Sequence, residues 1–186
     1  MDELTLEKIS SIYKEMIKNG NTKEEIIQNI FINYSTFIDN NQVIFNHKKI
    51  ISKNLNTDFH NIFLIGSRHI GLKIEDNELK IKKLDDTTDY DYAIIDPFLF
   101  SKYFDEHKST KPKYFENLCN GMLHPMYNKN LKKYIEDKIS DCFGKVSVCI
   151  YLSEKSFLKK LYSFYGEKIF EEISKIIMPE EIETLK

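Results

Sequence analysis

The sequence has no tryptophan, and only six glycines, four prolines and three cysteines among 186 residues. So little glycine and proline excludes collagen-like and low-complexity chains. The cysteines, Cys119, Cys142 and Cys149, form no C-x-x-C pair and stand beside no histidine at zinc-ligand spacing, so they read as buried free thiols. Long apolar runs are missing too, Ile62 to Ile65 being a representative one, and no basic segment leading into an apolar stretch follows Asp2 and Glu3. The expectation is a cytoplasmic protein with no membrane span and no membrane partner. Nor is there an excess of one charge: 27 basic against 29 acidic side chains leave a formal charge of −2 and an isoelectric point near 6.2. No global field draws such a chain to a polyanion.

Apolar material is plentiful. Hydrophobic residues make up 41% and aromatics 13%, with 13 Phe and 11 Tyr, far from the composition of a disordered chain. A chain of this length buries roughly 70% of the surface it exposes when unfolded, which suits one domain with a helical appendage. Leu6, Ile9, Ile12, Tyr13, Met16 and Ile17 follow helical spacing up to a stop at Gly20. Thr22-Lys-Glu-Glu25 is a capping box that opens a second helix running through Ile26, Ile27, Ile30, Phe31 and Tyr34. A shorter helix is expected over Asn46 to Asn54. The pattern predicts a helical region over 1–55, with an N-terminal hairpin, packed on a second unit over 56–186.

The second unit alternates strands and helices. Asn61 to Ile65 and Tyr90 to Ile95 read as core strands, Val146 to Leu152 as a third, and Leu79 to Leu84 as an exposed strand or hairpin. The stretch from Phe98 to Phe143 reads as helical with breaks at Pro112 and Pro125; Glu154 to Tyr165 and Lys168 to Ile177 complete the chain as helices. The fold class is therefore α/β (α+β), a small mixed sheet of three to five strands backed by helices.

Two short segments carry chemistry. Gly66 at a strand-to-helix turn lets the backbone approach a phosphate, and the Ser67 hydroxyl can donate to it. In an extended strand residues two apart share a face, so Asp89 and Asp91 can converge while Tyr90 points away, giving two hard oxygen ligands for magnesium. Arg68 has two open roles, a forked contact to a triphosphate or a local cap or ion pair. The five histidines show no helical metal-site spacing and read as surface or structural residues, His69 being placed in the phosphate turn. Lys-rich stretches at 108–113 and 129–133 read as solvated helix faces.

Phe63-Leu-Ile-Gly-Ser-Arg68, followed by Asp89-Tyr90-Asp91 heading an apolar strand, resembles the signature of the DNA polymerase beta-type nucleotidyltransferase superfamily, especially its minimal bacterial and phage members. The resemblance implies a nucleoside triphosphate held by Gly66, Ser67 and Arg68, and Mg2+ held by Asp89 and Asp91. It also implies transfer of a nucleotidyl group to a hydroxyl of a protein, nucleic acid or small molecule. Two departures are visible. Ser67 and Asp89 lie 22 positions apart (89 − 67), longer than the family's usual spacing, so an inserted hairpin from about Glu75 to Leu84 is required. The family's third carboxylate belongs on a later, adjacent strand, yet Val146-Ser-Val-Cys-Ile-Tyr-Leu152 contains no acid. The alternative is an inactive nucleotidyltransferase-fold protein acting as a nucleotide sensor, an antitoxin-like partner or a phage counter-defence protein. The N-terminal hairpin offers a further surface for self-association into a homo-oligomer or for another protein.

Overall fold

The capping box between the first two helices forms as the sequence demands. In the computed structural model, which describes residues 3–34, 41–75, 78–81, 88–104, 112–140, 145–166 and 168–171, Thr22 precedes α2 (Lys23–Gln28). Its Oγ1 accepts from the Glu25 amide at 3.3 Å, while its own amide donates to Glu25 Oε2 at 2.7 Å. Helix α1 (Glu3–Lys18) ends before Gly20, whose φ of 81° suits glycine, and α2 runs on through a wider turn over Asn29–Asn33. Helix α3 (Asn41–Leu55) starts earlier than the apolar period predicts. Its first turn holds Asn41, Gln42, Val43 and Phe45, all exposed, so only Ile44 marks the buried side there.

Strand β1 (Ile62–Ile65) leads through Gly66 into the short helix α4 (Ser67–Ile70). A separate hairpin follows, β2 (Leu72–Glu75) paired antiparallel with β3 (Glu78–Ile81); it starts before the expected Glu75, and positions 82–84 of the expected strand lie outside the described residues. Strand β4 (Tyr90–Ile95) is followed by α5 (Pro97–Phe104) and α6 (Pro112–Cys119). Next comes β5 (Met122–Leu123), inside a stretch expected to be helical. Two residues are too few to show a period, and their strand character comes from pairing with β6 (Val146–Tyr151). Helix α7 (Lys129–Ile135) precedes β6, and α8 (Glu154–Leu161) follows it. The predicted terminal helix over Lys168 to Ile177 is described only for 168–171; its remainder, and Cys142, lie outside the described residues.

The main sheet has the order β1-β4-β6-β5 and is mixed: β1 runs antiparallel to β4, β4 parallel to β6, and β5 antiparallel to β6. The structure is thus mixed α/β, with four strands in its principal sheet. Alternation along the strands divides the core into two layers. Ala93, Cys149 and Tyr151 face one layer, where Ile9, Ile26, Ile27, Phe31, Phe157 and Leu161 cover them. Tyr92, Ile94, Val148 and Ile150 face the other, with Ile44, Ile51, Leu99, Leu131 and Ile135. No helix among the described residues is long and apolar enough to cross a membrane.

Candidate functional site

Strand register brings the two chemical segments together. Ile65 of β1 pairs with Asp91 of β4, so the turn after β1 begins beside the Asp91 side chain. Gly66 there has φ 72° and ψ −160°, a backbone conformation that L side chains rarely adopt. A Cβ at this position would stand 2.9 Å from Asp91 Oδ2. The absent side chain is what lets the backbone approach the carboxylate.

Asp91 lines a cavity of about 290 Å³ with Gly66, Asn117, His124, Ser147, Cys149, Lys160, Phe164 and Tyr165 among its walls. Asp89 lines a neighbouring cavity of about 210 Å³, also bordered by Lys132, Glu136 and Lys145. The two cavities share His124 and Ser147, so the carboxylates occupy adjoining spaces and not one pocket. Asp89 Oδ1 lies 3.1 Å from Lys145 Nζ, in a pair whose lysine side chain is 77% exposed and therefore weakly bound. The acids expected at one metal centre thus stand side by side, one of them already facing an ammonium.

Burial sets the chemistry of the walls. The Cys149 thiol is pushed up to about 12, first by burial and then by the Asp91 charge, against the opposing pull of Lys160. It stays protonated at neutral pH and is no soft anionic ligand. Tyr165 is likewise raised, by burial and then by Asp91, and keeps its hydroxyl proton. His124 Nδ1 accepts from the Met126 amide at 3.2 Å, which leaves Nε2 as the protonated nitrogen.

Arg68 contacts the segment that leads into β4. Its guanidinium carbon sits 4.5 Å from the centre of the Tyr90 ring, and Nε and Nη2 donate to the Thr88 carbonyl at 3.4 and 3.3 Å. That ties the turn before Asp89 to the helix after Gly66, on the sheet face that carries Tyr90 and not the one that carries Asp91. On the same side the buried His47 forms a 2.8 Å hydrogen bond through Nδ1 to the Tyr92 hydroxyl, and burial followed by the Arg68 charge lowers its pKa. Ser67 opens α4 next to Gly66, its carbonyl accepting from Gly71 at 2.8 Å, and does not line either cavity.

His69, placed by sequence in the phosphate turn, is turned inward instead. It is fully buried, stacks on Phe31 at 4.9 Å and donates from Nε2 to the Tyr34 carbonyl at 2.8 Å. Burial lowers its pKa to about 4, with the hydrogen bond opposing. Of the cysteines read as buried, Cys149 is buried and Cys119 is exposed, because α6 turns it away from the core at its last residue.

On β6, Ser147 pairs in register with Asp91 and Cys149 with Ala93, so the strand beside the acids presents a hydroxyl and a thiol. Asp96 accepts from Thr57 Oγ1 at 2.5 Å and from the Leu99 amide at 2.9 Å, capping α5. Glu154 accepts from Gln28 Nε2 at 3.0 Å, in a groove between α2 and α8. Among the described residues no group of three metal-ligating side chains assembles. Asp89 and Asp91 each carry hard carboxylate oxygens of the kind that hold magnesium, presented from two adjoining cavities. The residues that sequence reading missed, Asn117, His124 and Lys160, come from separate elements with no shared motif. Comparison with protein-family models, curated proteins and solved structures gives no match.

Proposed function

We propose that the chain is a nucleotidyltransferase-like protein that binds a nucleoside triphosphate with magnesium at the edge formed by Gly66, Asp89 and Asp91, and transfers a nucleotidyl group to a hydroxyl acceptor. The apposition of Gly66 and Asp91 carries this reading: a side-chain-free turn lies against a carboxylate at the mouth of a cavity. Bound magnesium would supply charge neutralisation and alignment for the phosphates. The chain's own contribution is to orient. Gly66 borders the phosphates, Asp89 and Asp91 hold the ion, and Arg68 fixes the backbone from which Asp89 projects.

The double substitution Asp89→Ala and Asp91→Ala is expected to abolish transfer of label from an α-labelled nucleotide to any acceptor; undiminished labelling would discard the reaction. A second reading, nucleotide binding without turnover, is favoured by Ser147 and Cys149 on β6, since neither is a general base at neutral pH. Under it calorimetry gives Asp91-dependent nucleotide binding while no nucleotidylated product forms.

A further inference from the structure

We propose that the cavity between β4 and α8 seats a phosphate chain, and that Lys160 on α8, not Arg68 in the turn, is the cation that holds it. This rests on the nucleotide reading above and names the group that would grip the ligand's tail. Apart from Asp91, the polar walls of this cavity can all donate: Lys160 Nζ, the Asn117 amide, His124, the Ser147 hydroxyl and the Tyr165 hydroxyl. A donor-rich wall with one fixed positive charge matches an anion rich in acceptor oxygens. Lys160 is positioned by its neighbour, since Nζ donates to the buried Asn117 Oδ1 at 3.5 Å, a contact long enough to yield to a phosphate oxygen.

Asp91 and Lys160 both line this cavity. The volume, near the lower end of ligand cavities, suits a phosphate chain with its nucleoside lying toward the rim. Phe164, 49% exposed and edge-on to Tyr165 at 4.8 Å, stands in the cavity wall as an aromatic surface for the remainder of the ligand. Arg68 is occupied on the other sheet face by Thr88 and Tyr90.

Titration calorimetry of the full chain with magnesium tests this, using adenosine mono-, di- and triphosphate and inorganic triphosphate. The wild type is expected to prefer the triphosphate nucleotide to the monophosphate. Lys160→Met is expected to reduce that preference about tenfold. Lys160→Arg should restore most of it, and Lys159→Met, whose Nζ contacts Asn120 in the neighbouring groove, should leave it intact. A thermal melt of each variant confirms folding. An undiminished triphosphate preference in folded Lys160→Met, with binding still dependent on Asp91, overturns the proposal while sparing the nucleotide reading. Lys160-dependent binding of inorganic triphosphate without nucleotide binding supports the phosphate seat and removes the nucleotide reading. Binding of neither ligand by the wild type overturns both.

Discussion

The two faces of the main sheet are made from the same strands and differ in what they enclose. On the face toward α3, α5 and α7, Tyr92, Ile94, Val148 and Ile150 are completely buried, and the polar His47 there is matched to the Tyr92 hydroxyl. Toward α1, α2 and α8, the corresponding positions are Asp91, Ala93, Ser147 and Cys149, and the helices close over Ala93 but leave a cavity lined by Asp91, Ser147 and Cys149. One face is filled with apolar volume and serves stability. Its partner gives up packing at one end of β4 and β6 and gains space lined with donors. A polar group left unpaired in a well-packed interior costs free energy, and Asp91 instead borders an open space that Lys160 also lines.

Substitution can break this contrast most strongly on the filled face. Tyr92→Ala removes a fully buried ring and the hydroxyl partner of His47, and is expected to cost about 4 kcal/mol in urea unfolding. Acid acts next, through the neutral histidine beside the cavity-bearing layer. In the unfolded chain His69 takes up a proton near pH 6.5, whereas in the fold it does so only near 4, so the unfolded state is favoured as pH falls through that window. The loss amounts to about 1.4 kcal/mol per pH unit, roughly 3 kcal/mol in all. His47, lowered in the same direction, adds to it. Unfolding midpoints between pH 7 and pH 4 measure the effect, and a flat profile would contradict a buried neutral His69.

Gly66→Ala sharpens the contrast because it strikes both properties. A Cβ at φ 72° is strained and meets Asp91 Oδ2, so a loss of about 2 kcal/mol in thermal unfolding should accompany loss of nucleotide binding. Asp91→Asn is the smallest in stability and the most selective. It keeps the shape of the side chain while removing its charge, so stability should change by less than about 0.5 kcal/mol whereas magnesium-dependent nucleotide binding disappears. A large loss of stability with binding retained would make Asp91 a structural residue.

Periodicity and turn chemistry carry far in this chain. The capping box at Thr22, the strands heading into Gly66 and out of Tyr90, the hairpin between them and the acid-free strand from Val146 are all legible, because each depends on neighbours within a few positions. What escaped has a different origin. Strand β5 is two residues whose geometry comes from β6, and the inward turn of His69 depends on Phe31 and the Tyr34 carbonyl, more than thirty positions away. Nor does the sequence show that Arg68 meets the ring of Tyr90 and the carbonyl of Thr88.

By itself the sequence determined where the longer helices and the three central strands form, that two acids two apart head a core strand, and that no acid stands on the strand later found beside them. Those properties follow from side-chain size, polarity and spacing along a backbone of fixed period. Only the tertiary structure decided that Gly66 meets Asp91, that Asp89 faces Lys145 from an adjoining cavity, and that Lys160, Asn117 and His124 gather around one space. Such gatherings are set by strand register and helix packing between residues distant in the chain.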